Sequence, residues 1–205
     1  QLLTLGTDYQ QEHLSSDTGY LASTRQDTGV FAQYQGTFGR NELQLSARHD
    51  HNGQFGNHDT GAAAWGYRLD HGLRLSASYG SAFHAPTFND LYYPYGSGNP
   101  DLKPETSRSA ELGVTQQGDG WNWALNAYQT RISQLIALDS NYFPLNISRA
   151  RIRGIEGQLG ATLAGWRWQG YLTWQQPRND DGGPNDGHWL PRRPERTARV
   201  DLDRR

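Results

Sequence analysis

The links between the strand-like segments of this chain come in two lengths, and those lengths alternate. Four are short and turn-like: Phe38-Gly39-Arg40-Asn41, Asp70-His71-Gly72, Gly118-Asp119-Gly120 and Leu163-Ala164-Gly165. Gly and Asp there supply the positive φ that tight hairpins need. Between them lie five longer polar stretches, near 13–26, 51–59, 84–106, 137–146 and 177–190. A sheet whose hairpins are tight at one end and loose at the other is the pattern of an outer-membrane barrel, with short periplasmic turns and long outer loops.

The segments between these links repeat with period two, the mark of strands with one apolar face. Leu43, Leu45 and Ala47 alternate with Gln44, Ser46 and Arg48, and Leu73, Leu75, Ala77 and Tyr79 with Arg74, Ser76 and Ser78. Trp166, Trp168, Leu172 and Trp174 share a parity, as do Ala198, Val200 and Leu202. Helical spacing is sustained nowhere. The expectation is an all-β, antiparallel up-and-down meander of about ten strands, forming part of a larger transmembrane β-barrel. Trp121, Trp123, Trp166 and Trp168 follow short turns, where a girdle of amphipathic rings would sit at the headgroups.

Composition agrees with that architecture and excludes several others. Only 35% of residues are hydrophobic and mean hydropathy is −0.85, which leaves too little apolar side chain for two buried sheet faces. Yet the chain holds 24 Gly, 7 Trp and 11 Tyr, unlike a disordered segment. No run approaches the ~18 apolar residues of a membrane helix. A net charge of −2 offers no electrostatic case for nucleic acid. With 0 Cys there is no disulfide, thiolate metal site or Cys nucleophile, and no cofactor is implied. The competing architecture is a soluble β-sandwich, whose strands also alternate.

Both termini lie inside strand-like patterns, and the 205 residues contain no Met. They are read as one domain, 1–205, the partial barrel of a longer protein.

Two segments resemble a known family. Residues 79–112 read YGSAFHAPTFNDLYYPYGSGNPDLKPETSRSAEL. This resembles the signature of TonB-dependent receptor barrels at Ala85-Pro86, Leu91-Tyr92, Glu111 and the run Asn99-Pro100-Asp101-Leu102-Lys103-Pro104-Glu105. Ala150-Arg151-Ile152-Arg153-Gly154-Ile155-Glu156 is similar to a later strand motif of the same family. Within it, Asn52 to His58, Trp65, Ser78-Tyr79-Gly80 and Leu190-Pro191-Arg192-Arg193 look like the cobalamin (vitamin B12) transporters; siderophore receptors share the long signature. The resemblance implies a barrel of roughly 22 strands with a plugged lumen, in the cell outer membrane of a Gram-negative bacterium. The plug and final strands would lie outside this chain. It implies a large scarce nutrient as ligand, cobalamin or a ferric siderophore, and two further partners: outer-membrane lipid, and TonB through the missing N-terminal region.

Four residues stand out as candidate ligand contacts. Tyr92, Tyr93 and Tyr95 belong to the Pro- and Gly-laden 84–106 stretch, which cannot be a regular ladder because Pro86, Pro94, Pro100 and Pro104 lack donors. Their rings could meet an arriving ligand, or could stabilise the loop whatever the ligand is. Arg192, by the resemblance, matches a lumen-facing arginine near the bound nutrient, where its fork of donors suits amide or phosphate oxygens.

Other chemistry is weaker. His49, His51 and His58 could gather a metal only with an organised third ligand. Asn179 to Gly187 carries oxygen ligands and Gly turns, but not the spacing of a calcium loop. His84 with Asp90, or His188 with Asp186, would be the pairs of a small barrel enzyme. The chain lacks a Gly-x-Ser-x-Gly elbow and a His-Glu-x-x-His helix, so no catalytic residue is assigned.

Overall fold

The computed structural model describes residues 1–204. Ten strands follow one another: β1 Leu2–His13, β2 Thr24–Phe38, β3 Asn41–Asn52, β4 Gly56–Arg68, β5 Leu73–His84, β6 Glu105–Gln117, β7 Trp121–Leu138, β8 Pro144–Leu163, β9 Trp166–Asn179 and β10 Arg196–Arg204. They form one sheet in chain order, β1 to β10, and every neighbouring pair is antiparallel. The meander is the expected one. A single five-residue helix, α1 Phe88–Tyr92, interrupts it, inside the link between β5 and β6.

The register carries the two-face pattern across the sheet. One rung runs Trp65, Ala77, Leu112, Ala127, Ile155 and Trp174 from β4 to β9. The next rung, on the opposite face, runs Ser78, Glu111, Tyr128, Gly154 and Gln175. Leu112 is 66%, Leu172 65% and Val200 67% exposed on the apolar face. A wholly apolar rung left open to this degree suits a hydrocarbon solvent and not water.

The polar face is held by ion pairs that span strands. Arg48 of β3 reaches Asp8 of β1 at 2.8 Å and Asp50 at 2.6 Å. Gly29 of β2 lies between, and a Cβ there would collide with the Arg48 guanidinium. Further along, Glu42 binds Arg68 at 3.1 Å and Arg74 at 2.8 Å. Gly154 does for Tyr128 what Gly29 does for Arg48: a Cβ would meet the ring at 2.5 Å. The Tyr128 hydroxyl crosses it to donate to Gln175 at 3.2 Å.

Two links are shorter than the sequence pattern suggests. The stretch near 51–59 contains a turn of residues 53–55 only, because Asn52 closes it. The Asn52 side chain accepts from the amides of Gln54 and Phe55, each at 2.9 Å, and donates to Asp27 at 2.6 Å. Likewise 137–146 contracts to residues 139–143, with β8 beginning at Pro144, a strand start that Pro tolerates.

The facing is directly testable in the full-length protein in membranes. Single cysteines at Leu75 and Leu112 should react with lipid-phase reagents, and cysteines at Ser76 and Glu111 with aqueous ones. The reverse labelling would turn the sheet inside out.

Candidate functional site

All five longer links, residues 14–23, 53–55, 85–104, 139–143 and 180–195, emerge at the same end of the sheet. Their packing begins with the signature loop. Thr87 caps α1 through a reciprocal box, its hydroxyl accepting from the Asp90 amide at 3.1 Å while the Asp90 carboxylate accepts from the Thr87 amide at 2.9 Å. Leu91 is 1% and Leu102 4% exposed, so the loop carries its own small core.

Side chains from four other parts of the chain then tie that loop down. Tyr20 donates to Asn89 at 3.0 Å, and Arg25 donates to the Pro86 carbonyl at 2.8 Å while paired with Glu12. Gln54 donates to the Tyr92 hydroxyl at 2.7 Å. Asn99 donates to the Pro144 carbonyl at 2.9 Å, and the Glu105 carboxylate accepts from the Ile136 amide at 2.6 Å. Asn146 of β8 accepts from the Lys103 amide at 2.8 Å and donates to the carbonyls of Lys103 and Gln134, at 3.0 and 2.7 Å. Gln134 has a φ of 58°, and the β7–β8 ladder skips its rung while keeping the same register on either side. The resemblance located Asn99 and Glu105, but nothing in the sequence marked Asn146 as their partner.

The candidate residues separate on this frame. Tyr92 is half-buried and held by Gln54, which gives it a structural role. Tyr93 is exposed, and Tyr95 is 87% exposed in a left-handed conformation with φ of 68°. Arg192 also has positive φ, 58°, a conformation uncommon for residues other than Gly. Its guanidinium stands 4.9 Å from the ring centre of Tyr142 in the 139–143 link. It is set back from β10, which starts only at Arg196, because Gln175 holds the Pro194 and Glu195 carbonyls at 2.7 and 2.8 Å.

Residues 180–195 fold back over the sheet. Leu190 is buried with Ile132, Leu135, Ala150 and Ile152. Its amide donates to the Pro177 carbonyl at 3.0 Å, on the strand edge where a proline's missing donor faces the loop. Beside this cluster is a groove of about 290 Å³ lined by Asp90, residues 135–138, Leu190, Pro191, Arg192 and Arg193. It joins α1, the end of β7 and the last loop, and brings Arg192 and Asp90 to one cavity. Tyr92, Tyr93 and Tyr95 do not line it.

The other sequence candidates are accounted for locally. His49 and His51 share the outer face, paired with Asp59 and Asn57 at 2.7 and 2.6 Å. His58 is on the opposite face, stacked on Phe83 at 3.5 Å between ring centres. In the last loop, Asp181 and Asp186 accept from the amides of Gly183 and Gly182 at 2.7 and 3.0 Å, shaping turns. Among the described residues no hydrogen bond joins His84 to Asp90 or His188 to Asp186.

An open-faced meander with an apolar exterior, a charged interior and one packed rim is a segment of a transmembrane β-barrel. The family profile described as "TonB dependent receptor-like, beta-barrel" matches residues 1–204, and the chain belongs to that family of Gram-negative outer-membrane proteins. The vitamin B12 transporter BtuB of Photobacterium profundum is 34% identical over 160 residues, which is 74% of this chain and 26% of that protein. The siderophore receptor PirA of Acinetobacter baumannii superposes with a TM-score of 0.77 at 20% identity, over 99% of this chain and 37% of its own. A ferric enterobactin receptor mutant (PfeA) of Pseudomonas aeruginosa, in complex with enterobactin, gives 0.77 at 23% identity, over 98% and 36%. A copper transporter, OprC, gives 0.77 at 20% identity, over 98% and 37%. These three likenesses define the fold alone. The chain spans about a quarter of the length of the curated relative.

Asn146 is the element of this rim whose removal is most informative. Asn146→Ala removes three hydrogen bonds and leaves the Lys103 amide and the Gln134 carbonyl unpaired, at a cost of about 1–3 kcal/mol. Limited proteolysis of the intact receptor should then cut within 85–104 at lower protease, with β-sheet content unchanged. Unaltered cleavage would remove Asn146 from the latch.

Proposed function

We propose that the complete protein is a receptor that captures cobalamin at the outer face and imports it through a plugged barrel. Energy reaches it from the inner membrane by way of TonB. The observation that carries this reading is the 34% identity with a vitamin B12 transporter over 160 residues. The likenesses to siderophore and copper proteins are at 20–23% identity and speak only to architecture. The protein supplies binding and passage rather than catalysis, with no resident cofactor.

Arg192 is the ligand contact proposed within this chain. It has no carboxylate partner among the described residues, lines the rim groove, and is held in an uncommon backbone conformation. A guanidinium so placed offers several directed donors to the amide and phosphate oxygens that cobalamin carries. Tyr93 and Tyr95 extend that contact surface as exposed rings with polar tips. Tyr92 contributes by holding the loop.

Equilibrium binding by the full-length receptor tests this, with cobalamin set against a panel of ferric siderophores. Cobalamin should bind and the siderophores should not. Arg192→Ala should weaken cobalamin by about 1–3 kcal/mol if the bond to the ligand is buried. Tight siderophore binding without cobalamin affinity would overturn the ligand and leave the family intact. Unchanged affinity in Arg192→Ala would return the residue to a solvated position in the lumen.

A further inference from the structure

Two histidines near the loop end of β3 form a pair that the import reading does not use. His49 and His51 are two residues apart on one strand and therefore on one face, the outward one. Each imidazole has one nitrogen engaged: His49 Nδ1 is 2.7 Å from Asp59 Oδ1, and His51 Nδ1 is 2.6 Å from Asn57 Oδ1. Carboxylate and amide oxygens accept, so both Nδ1 atoms donate and the neutral rings keep a lone pair on Nε2. Among the described residues no hydrogen bond reaches either Nε2, and both histidines are exposed.

Asp59 and Asn57 are the residues directly opposite on β4. The two rings are therefore turned alike, each Nδ1 toward β4 and each Nε2 away from it. Their roots are about 6.8 Å apart along the strand. Two imidazole nitrogens on one metal ion are about 3 Å apart, so each ring has to lean by roughly 2 Å. Side chains that stand perpendicular to a sheet and lean along the strand allow this.

The surroundings favour a cation. After the apolar rungs of Leu43, Leu45 and Ala47 the outward face turns polar, with His49 beside Asp59 and His51 between Thr28 and Asn57. The outward positions of β2, β3 and β4 include Asp59 but no Lys or Arg. An oxygen behind each ring fixes its tautomer and raises its basicity, as the partners of metal-bound histidines do. His58 is no part of the set. It belongs to the opposite face, its Nε2 is 3.1 Å from the Phe55 carbonyl, and its ring is stacked on Phe83. The chain thus offers two organised imidazoles rather than the ligands of a closed site, and water completes the coordination.

We propose that His49 and His51 chelate an exchangeable divalent transition-metal ion at the outer rim, copper in preference to nickel or zinc. Two imidazoles at neighbouring corners with water at the others suit the tetragonal coordination of copper and nickel, and copper heads the affinity order for such ligands. The pair is no part of the groove beside Arg192, and the proposal is independent of which nutrient is imported.

The test uses the full-length receptor in a non-ionic detergent, freed of metal with a chelator and titrated with Cu²⁺. Ni²⁺, Zn²⁺ and Mg²⁺ are the comparison arms. Copper should bind with an electron paramagnetic resonance spectrum split by two nitrogens, nickel and zinc should compete more weakly, and magnesium should not compete. His49→Gln and His51→Gln should each lose at least about tenfold in copper affinity, because each removes one of two tethered ligands. The double variant should lose the two-nitrogen spectrum. Asp59→Ala keeps both imidazoles and should lose about 10–100-fold through the unanchored ring. Without metal the thermal midpoint of every variant should stay near the native value, which reports an intact barrel, and cobalamin binding on the same samples tests the import reading separately. Native copper affinity with an unchanged spectrum in the double variant would overturn the site. A loss in only one single variant would overturn the chelate in favour of a lone ligand. Equal displacement by magnesium would overturn imidazole coordination in favour of simple attraction to Asp59, and native affinity in Asp59→Ala would overturn the anchoring of the ring.

Discussion

A backbone surrounded by hydrocarbon has no water to satisfy its N–H and C=O groups, so each strand must give them to a neighbour. That requirement sets the form of this chain. Sequential antiparallel neighbours meet it with nothing more than tight turns at one end of the sheet. Every internal strand, β2 to β9, is accordingly paired on both sides by its neighbours in sequence. Side chains then divide by parity. The same pleat that exposes Leu112, Leu172 and Val200 on one face puts Glu111, Tyr171 and Arg199 on the other.

This is also why so much of the fold was legible in the sequence, and why its reading stopped where it did. Inside the hydrocarbon band the two faces meet different solvents, so apolar and polar residues alternate clearly. Beyond the band both faces meet water or packed loops, and the alternation disappears while the ladder continues. Residues 51–59 read as a polar loop, yet His51 pairs with Asn57 and Asn52 with Gly56 in register. The start of β8 was hidden for the same reason. Pro144, Leu145 and Asn146 show no periodic signal, and their place is fixed by contacts with Asn99 and Lys103 more than forty residues earlier. Long-range polar contacts of this kind leave no mark on local sequence.

The signature loop shows how a motif can identify a family without identifying a ligand. Asn99 and Glu105 are occupied by the backbone of β7 and β8, and Arg25, Tyr20 and Gln54 by the loop in return. Groups committed to holding a loop in place are not free to recognise a cargo, and a frame useful to every receptor discriminates among none. Other residues of the same rim are not consumed by the frame. Arg192, in the last loop, is one of these; Tyr93 and Tyr95 are others. The sequence suggested all three, but it had no means of separating them from Tyr92, whose hydroxyl is already engaged by Gln54.

The arginines of the sheet make the difference between its two faces explicit. On the inner face Arg25, Arg48, Arg68, Arg74 and Arg199 each meet a carboxylate within 3.1 Å. Such pairs, partly wetted, contribute little stability individually, but they neutralise the charge of the inward face. On the outer face Arg108 and Arg131 stand opposite each other across strands, with Arg153 on the adjoining rung, and none has a carboxylate partner among the described residues. Net charge conceals this asymmetry, because 19 basic and 21 acidic residues nearly cancel. A sheet that balances charge carefully on one face and leaves it unbalanced at one height on the other is matched to two surroundings. The inner carboxylates are supplied by the chain. At the outer edge of the hydrocarbon the described residues supply none to Arg108, Arg131 or Arg153.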